Sequence, residues 1–163
     1  MRVVIIIFFL ISNSLAEEIY GIPKIIDGDT VHISKYKIRL EGIDAPEIKQ
    51  QCKKVFFKIS SIIGFTFYKD YYCGVASKKK LVEKIDRSKI KCIYSSKDKY
   101  KRFLATCFKD QINLNKWMVR NGHAIAYKRY SKRYLKDEDF ARKNKLGLWQ
   151  GRFMYPEKWR KLN

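Results

Sequence analysis

The chain has 163 residues, a net charge of +20 at pH 7, 46% apolar residues and 15% aromatic residues. This length suits one domain and is short for two, and the apolar content excludes a largely disordered protein. The excess of lysine and arginine favours a polyanionic partner, although composition alone is equally compatible with a charged, solubilising surface.

Residues 1–16 have the layout of a secretory signal peptide. Arg2 gives a positive start, Val3 to Ile11 form an unbroken apolar run, and small residues follow at Ser14 to Ala16. The apolar run is short for a mature transmembrane helix, which needs roughly 20 residues, and an uncleaved anchor is the alternative. We therefore expect a secreted or periplasmic protein with one domain at residues 17–163.

The first part of this domain is predicted to be a three-stranded meander. Its strands are Ile19 to Ile26, Thr30 to Ser34 and Tyr36 to Glu41. Pro23 favours an edge or a bulge in the first strand, and Asp27-Gly28 is a tight-turn signal. The other two strands alternate apolar and polar residues, so their charged side chains share one face.

The stretch from Lys53 to Tyr72 is aromatic and apolar and lies between two cysteines. A loop of this length without secondary structure is uncommon in a compact domain. We expect a short helix or an additional hairpin held by a disulfide. A flap that contacts a membrane or the substrate is the alternative.

Three helices and a further hairpin are predicted in the second half. The helices are Ala76 to Ile85, Asn113 to Asn121, and a third from an N-cap at Ser131 to Asn144 or Lys145. Gly122 and Gly147 are typical helix stops. The hairpin joins Lys89 to Tyr94 with Phe103 to Phe108. The tail carries four aromatic residues that we expect to pack against the body: Trp149, Phe153, Tyr155 and Trp159.

The predicted mature chain has four cysteines: Cys52, Cys73, Cys92 and Cys107. No pair has the CxxC spacing of a zinc site, and an even number in an exported protein favours disulfides. Four cysteines allow three pairings, and the cysteine positions alone do not choose among them. The predicted hairpin favours one, because Cys92 and Cys107 flank its turn at equal distances. That leaves Cys52 to pair with Cys73.

The predicted elements total five strands and three helices in the order β-β-β-α-β-β-α-α. This order predicts an α+β fold that is mainly a β-barrel with surrounding helices. The candidate is a five-stranded OB-fold barrel with three α-helices.

Three short segments carry the candidate charged residues: Asp27 to Thr30 is acidic, whereas Arg39 to Glu47 and Asp98 to Arg102 combine acidic and basic residues. Clustered carboxylates bind hard divalent cations, and arginines bind the phosphate that such a cation polarises. On a strongly basic chain, this combination predicts metal-assisted chemistry on a phosphodiester.

These clusters, together with Gly147-Leu148-Trp149, resemble the motifs of the staphylococcal nuclease (thermonuclease) family over roughly Ile19 to Trp149. Four separated motifs occur in order, which is far more specific than a lone Asp-Gly-Asp-Thr. The resemblance implies a five-stranded OB barrel with three helices. It also implies a calcium-dependent nuclease that acts on DNA and/or RNA with little sequence specificity and leaves 3′-phosphates.

The resemblance also implies roles for individual residues. The calcium ligands would be Asp29, Asp44 and the backbone carbonyl of Ala45. Glu47 would lie beside the metal and act on the attacking water, as general base or by orienting it. The scissile phosphate would contact Arg39 and Arg102. Neighbouring parts of the nucleotide would contact Lys99, Tyr100 and Tyr127, with Tyr130 as the competitor of Tyr127.

The sequence departs from the family pattern in two places. Lys101 stands where the family has a glycine, and a turn that needs a positive φ disfavours lysine. The segment between Cys52 and Cys73 also differs from the lysine-rich loop of the family. Four further residues are assigned no direct role in the chemistry: Asp27 and Glu41 at the turn and surface, and His32 and His123 as surface histidines.

A catalytically inactive OB-fold protein that binds nucleic acid is the alternative function, since basic charge and aromatic residues suffice for binding. The complete set of carboxylates and arginines favours the enzyme, because a pure binding module has no use for Glu47. A membrane-active basic protein is a third hypothesis, based on charge and residues 56–67. We expect a monomer with DNA and/or RNA as its partner and no stable membrane association after signal cleavage.

Overall fold

The computed structural model describes residues 17–58 and 65–163, so the predicted signal peptide lies outside the described residues. The strands in this part of the chain are β1 Glu17–Gly21, β2 Lys24–Ile25, β3 Thr30–Ile33, β4 Tyr36–Leu40, β5 Ile43–Asp44, β6 Gln51–Lys58, β7 Thr66–Tyr72, β8 Ile90–Lys97, β9 Phe103–Lys109, β10 Ile112–Asn113, β11 Ile125–Ala126 and β12 Gly151–Arg152.

The main sheet has the strand order β1-β8-β9-β4-β3-β2, and β10 pairs with β9. Only β4 and β9 run parallel among these pairs. The predicted strand Ile19 to Ile26 is interrupted at Ile22-Pro23, where proline cannot donate to a strand partner. Its two parts pair at opposite ends of the order, β1 with β8 and β2 with β3, so the sheet is curled.

The stretch after Cys52 forms the additional hairpin that the sequence predicts. Strand β6 pairs with β7, and β12 pairs with β6 to complete a separate three-stranded sheet. A disulfide between Cys52 and Cys73 closes the base of this hairpin, with a Cα separation of 5.6 Å. Phe56, Phe57 and Phe67 are exposed farther along it.

Four α-helices lie within the described residues, against the three that the sequence predicts: α1 Cys73–Ile85, α2 Leu114–Arg120, α3 Leu135–Lys143 and α4 Pro156–Leu162. Ser131 is not the N-cap of α3, which begins four residues later, so this prediction is wrong. Residues 127–131 instead form tight turns, and the Ser131 hydroxyl accepts a hydrogen bond from the Arg133 backbone N–H at 3.1 Å. Tyr134, which is buried, is the residue immediately before the helix.

The core lies between the main sheet and helices α1 and α2. Its fully buried members include Ile38 and Leu40 of β4, Leu81 of α1 and Met118 of α2. Each such side chain contributes about 1.5–3 kcal/mol by burial. The second disulfide, Cys92–Cys107, joins paired residues of β8 and β9 inside this core, so both predicted pairings are confirmed.

The predicted packing of the aromatic tail is found in the structure, whereas the predicted surface position of His123 is not. Trp149 and Phe153 of the predicted aromatic tail pack on a second, smaller cluster around the Cys52–Cys73 disulfide. His123, which the sequence predicts at the surface, is partly buried, with its ring 5.2 Å from that of Trp117. In the described part of the chain, every helix is too short or too polar to cross a membrane.

Candidate functional site

Two buried carboxylates form the centre of the site. Asp29 follows the Asp27-Gly28 turn, and Asp44 lies in β5, which pairs with β11. They are 2% and 0% exposed. Asp29 accepts hydrogen bonds from the Ala45 backbone N–H at 2.7 Å and from the Thr30 hydroxyl at 3.1 Å. Because a buried carboxylate is costly without partners, these bonds fix where Asp29 lies.

Arg39 connects the two carboxylates. It faces Thr30 across the β3–β4 pair, which brings its side chain beside Asp29. One guanidinium nitrogen bonds to Asp29 and the other to Asp44 Oδ1 at 3.0 Å. Burial lowers the pKa of Arg39, but the two carboxylates outweigh it and the pKa is raised, whereas burial raises the pKa of Asp44. The predicted residues Asp29, Arg39 and Asp44 therefore lie together.

Asp27 supports the turn instead of the carboxylate pair. Its side chain accepts a hydrogen bond from the Asp29 backbone N–H at 2.9 Å, which is the usual role of aspartate in such a turn. Burial, followed by the charge of Asp29, raises the pKa of Asp27 to about 6. This position agrees with the supporting role that the sequence predicts for it.

Arg160 of α4 is a site residue that the sequence prediction missed. Its guanidinium contacts both oxygens of Asp44, with Nη1 at 2.9 Å from Oδ1 and Nη2 at 3.1 Å from Oδ2. Nη1 also donates to Glu47 Oε1 at 2.9 Å. Burial lowers the pKa of Arg160, but the hydrogen bonds to Asp44 outweigh this effect and the pKa is raised. No spacing rule links residues so far apart in sequence.

The loop that carries Glu47 is fixed by close backbone contacts. A Cβ added to Gly74 would lie 1.9 Å from the Glu47 carbonyl oxygen, so only glycine fits there. Gln50, which is fully buried, accepts a hydrogen bond from the Glu47 backbone N–H at 3.3 Å. Its side-chain amide donates to the Met154 carbonyl at 2.7 Å, which ties the loop to the segment before α4.

Arg102 lies in the turn between β8 and β9, and its partner is Asp98. The Asp98 carboxylate accepts bonds from Arg102 Nε at 2.8 Å and from the backbone N–H groups of Tyr100 and Arg102. Burial raises the pKa of Asp98, but the bonds from Arg102 outweigh it and the pKa is lowered. Lys101 has a φ of 62°, so lysine does adopt the conformation that favours glycine. Arg102 pairs with Asp98 and not with Asp29 or Asp44.

A cleft of about 980 Å³ brings the remaining predicted residues together. Its walls include Arg39, Glu47, Lys99, Tyr100, Arg102, Tyr127, Tyr130 and Arg160. The rings of Tyr127 and Tyr130 are 4.8 Å apart and edge-on, so both competitors for the nucleotide contact line the same wall. Asp29, Asp44 and Ala45 are buried behind the cleft surface.

The donor atoms suit a hard cation, although they do not form a complete cage. In residues 17–58 and 65–163, no three His, Cys, Asp or Glu side chains group closely enough to hold a metal ion. Two carboxylates are available, and calcium completes its shell with carbonyl, water and substrate oxygens. Asp29 and Asp44 are therefore the candidate carboxylate ligands for an oxygen-liganded cation, with the carbonyl of Ala45 as the predicted third ligand.

Comparison with known proteins agrees with this arrangement. The profile of the family described as Staphylococcal nuclease homologue matches residues 37–151. Succinoglycan biosynthesis protein ExoI of Rhizobium meliloti (strain 1021) is 31% identical over 83% of this chain and 66% of its own length. An uncharacterized endonuclease of Haemophilus influenzae is 31% identical over 86% of this chain and 71% of its own.

A further relative is much longer than this chain. The probable staphylococcal-like nuclease CAN4 of Oryza sativa subsp. japonica is 32% identical over 82% of this chain but only 23% of its own length. The chain thus spans just under two thirds of the rhizobial protein and about a quarter of the rice protein. The family profile, in contrast, matches well over half of the chain. The chain belongs to the Staphylococcal nuclease homologue family.

Proposed function

We propose that this protein is an exported, calcium-dependent nuclease that hydrolyses DNA and/or RNA with little sequence specificity and leaves 3′-phosphates. The observation that carries the proposal is the guanidinium of Arg39 joined to two buried carboxylates, Asp29 and Asp44, beside a basic cleft. The two relatives whose names include endonuclease or nuclease support the same class of activity.

Asp29, Asp44 and the carbonyl of Ala45 would hold the calcium ion. When bound there, calcium neutralises charge on the phosphate and lowers the barrier to attack by water. The buried position of both carboxylates favours this role, because their geometry is fixed by Ala45, Thr30 and Arg39 before any ligand arrives.

Arg39 and Arg102 bind the scissile phosphate from the cleft walls. A guanidinium donates two parallel hydrogen bonds to one phosphate, which lysine cannot do. These bonds strengthen as charge builds on the phosphate oxygens, so they stabilise the transition state more than the substrate. Lys99, Tyr100 and Tyr127 contact neighbouring parts of the nucleotide, with stacking on the tyrosine rings.

Glu47 orients the attacking water or accepts its proton. Its side chain is 35% exposed, so water reaches the carboxylate, while Arg160 and the Gly74 contact hold it at the cleft. A carboxylate within hydrogen-bond reach of the water is the geometry that general-base catalysis needs.

Export agrees with the covalent structure. Two disulfides and no free cysteine lie in the described residues, and disulfides persist in oxidising compartments. The protein acts as a secreted or periplasmic monomer, with no stable membrane association after signal cleavage.

The calcium mechanism predicts that a chelator abolishes cleavage of single-stranded DNA and RNA by the mature protein and that added calcium restores it. Asp29→Asn and Asp44→Asn should each lower kcat/KM by about 10²–10³, because each removes a metal ligand. A gel assay with end-group analysis measures rate and product together. The matched control is Asp139→Asn, which removes an exposed carboxylate paired with Arg142.

Two outcomes would contradict the proposal. Full activity in chelator, or in the Asp29→Asn/Asp44→Asn double variant, would exclude the calcium mechanism. Tight binding of nucleic acid without cleavage at any calcium concentration would instead identify the inactive OB-fold binding protein.

A further inference from the structure

Arg160 binds the carboxylate of Asp44, which is one of the proposed metal ligands. Its two terminal nitrogens contact the two oxygens of Asp44, so the fork spans the whole carboxylate. Asp44 is fully buried and its remaining partner is Arg39, at 3.0 Å from Oδ1. In the free protein, Arg39 and Arg160 therefore balance the charges of Asp29 and Asp44.

A bound cation would compete with this ion pair for the Asp44 oxygens. Calcium binds carboxylate oxygens at about 2.3–2.6 Å, and both Asp44 oxygens now face the Arg160 guanidinium. A cation at that distance would lie beside the guanidinium charge in a poorly solvated place, where like charges repel strongly. Arg160 contacts both Asp44 oxygens whereas Arg39 contacts one, so Arg160 is the guanidinium that a cation would displace from Asp44.

The attachment of α4 allows such a movement. Pro156 is its only buried residue, so the helix contributes little to the core. Its polar contacts include the Glu157 ion pair with Arg129 at 3.0 Å, and the hydrogen bond from Gln50 to Met154 holds the segment before it. The Arg160 side chain is 32% exposed and already lines the cleft beside Arg39. A rotation of this side chain toward the cleft moves a partly exposed charged group and leaves the buried Pro156 in place.

We propose that Arg160 is a third substrate-binding arginine, which occupies the cation position on Asp44 in the free protein and binds the substrate phosphate once a cation is present. This inference rests on the proposed function. The phosphate enters with the cation, so the guanidinium exchanges one anionic partner for another and keeps its contact with Glu47. A planar fork suits both partners, since carboxylate and phosphate accept the same bidentate bonds.

The test is Arg160→Ala, with two binding measurements by calorimetry. Calcium alone should bind the variant about tenfold more tightly than wild type, because its competitor on Asp44 is gone. At saturating calcium, thymidine 3′,5′-bisphosphate, which has no internal diester to cut, should bind about tenfold more weakly. Opposite changes in the two affinities are a result that general damage to the site cannot produce.

Two further variants keep the test decisive. Arg160→Lys retains the charge without the fork, so calcium affinity should stay close to wild type while the bisphosphate binds more weakly; it also serves if Arg160→Ala does not fold. Arg142→Ala removes the same charge from an exposed arginine of α3 and should change neither affinity.

Weaker binding of both ligands by Arg160→Ala, or no change in either, would overturn the inference. Failure of the proposed function is a different result, in which wild type itself binds no calcium and cleaves nothing. A wild type that binds calcium and cleaves, together with an Arg160→Ala variant whose affinities are unchanged, would contradict only the role of Arg160.

Discussion

Lys101 has a backbone φ of 62° in the turn that carries Arg102. The turn is closed by the Asp98 carboxylate and by a hydrogen bond from the Lys101 backbone N–H to the Asp98 carbonyl at 2.9 Å. Left-handed conformation costs a residue with a Cβ roughly 1–2 kcal/mol. The stability of this turn therefore comes from its Asp98 hydrogen bonds, in spite of the residue at position 101.

Lys101→Gly should raise the free energy of unfolding by about 0.5–1 kcal/mol. The relieved cost of the positive φ exceeds the extra entropy that glycine brings to the unfolded chain. Thermal unfolding followed by circular dichroism measures the change. Lys99→Gly in the same turn is the control, since Lys99 does not have a positive φ and the substitution should destabilise. A lower stability for Lys101→Gly than for wild type would contradict the argument.

The contacts of the two carboxylates differ in how far the sequence predicts them. The proximity of Asp29, Arg39 and Asp44 follows from short-range signals, because a turn, a strand pair and a five-residue spacing bring them together. Arg160 contacts Asp44 across 116 positions, from a helix in which Pro156 is the single buried residue. Such a contact leaves no periodicity or motif in the sequence.

The hairpin of β6 and β7 can be predicted from the length of the segment between Cys52 and Cys73. Its existence follows from the rule that long structureless loops are rare, and its position follows from the Cys52–Cys73 pairing. The start of α3 is less predictable, because serine is a frequent N-cap but a local turn competes for the same hydroxyl. The sequence thus predicts the existence of a strand or helix better than the residue at which it begins or ends.

Removal of the Cys52–Cys73 disulfide by a double substitution to alanine should lower the free energy of unfolding by about 3 kcal/mol. The bridge spans 21 positions, and its loss returns loop entropy to the unfolded chain. Urea unfolding measures the effect. The double alanine variant of Cys92 and Cys107 is the matched comparison, because that bridge spans 15 positions and all four cysteines are buried.

The two losses should agree to within about 1 kcal/mol, since the entropy term depends only weakly on loop length. A loss below about 1 kcal/mol for the Cys52–Cys73 pair would show that the hairpin base is held by its strand pairing with β12 and not by the bridge.

At the scale of the whole molecule, the α+β class follows from the order of the predicted elements, whereas the curled sheet does not. The curl depends on residues 17–25 pairing at both ends of the strand order, which local patterns do not encode. The response of partly buried titratable groups to pH is another whole-molecule property. Burial lowers the pKa of His123 to about 4 and raises the pKa of Asp27 to about 6, so the two groups give the fold opposite responses to pH.

The direction of each pH dependence follows from which state, folded or unfolded, binds more protons. Below about pH 6.5 the unfolded chain protonates His123 while the folded chain keeps it neutral until about pH 4, so its contribution to stability falls as pH falls through this window. Asp27 is protonated first in the folded chain, so its contribution is complete below about pH 3.8 and is lost as pH rises through about 6. The two contributions oppose each other, so the free energy of unfolding of wild type changes less with pH in acid than His123 alone would make it change.

His123→Gln should remove the contribution of His123 to the pH dependence of stability and leave that of Asp27. Relative to wild type, the free energy of unfolding of the variant should improve by about 2 kcal/mol between pH 7 and pH 5, because the unfolded state of wild type gains a proton there and the variant has no imidazole to protonate. Urea unfolding at both pH values measures the difference, and His32→Gln is the control that leaves His123 in place. A difference between His123→Gln and wild type that stays constant with pH would mean that His123 takes up its proton equally in both states. In that case the contact with Trp117, and not the charge, would be what position 123 contributes to the fold.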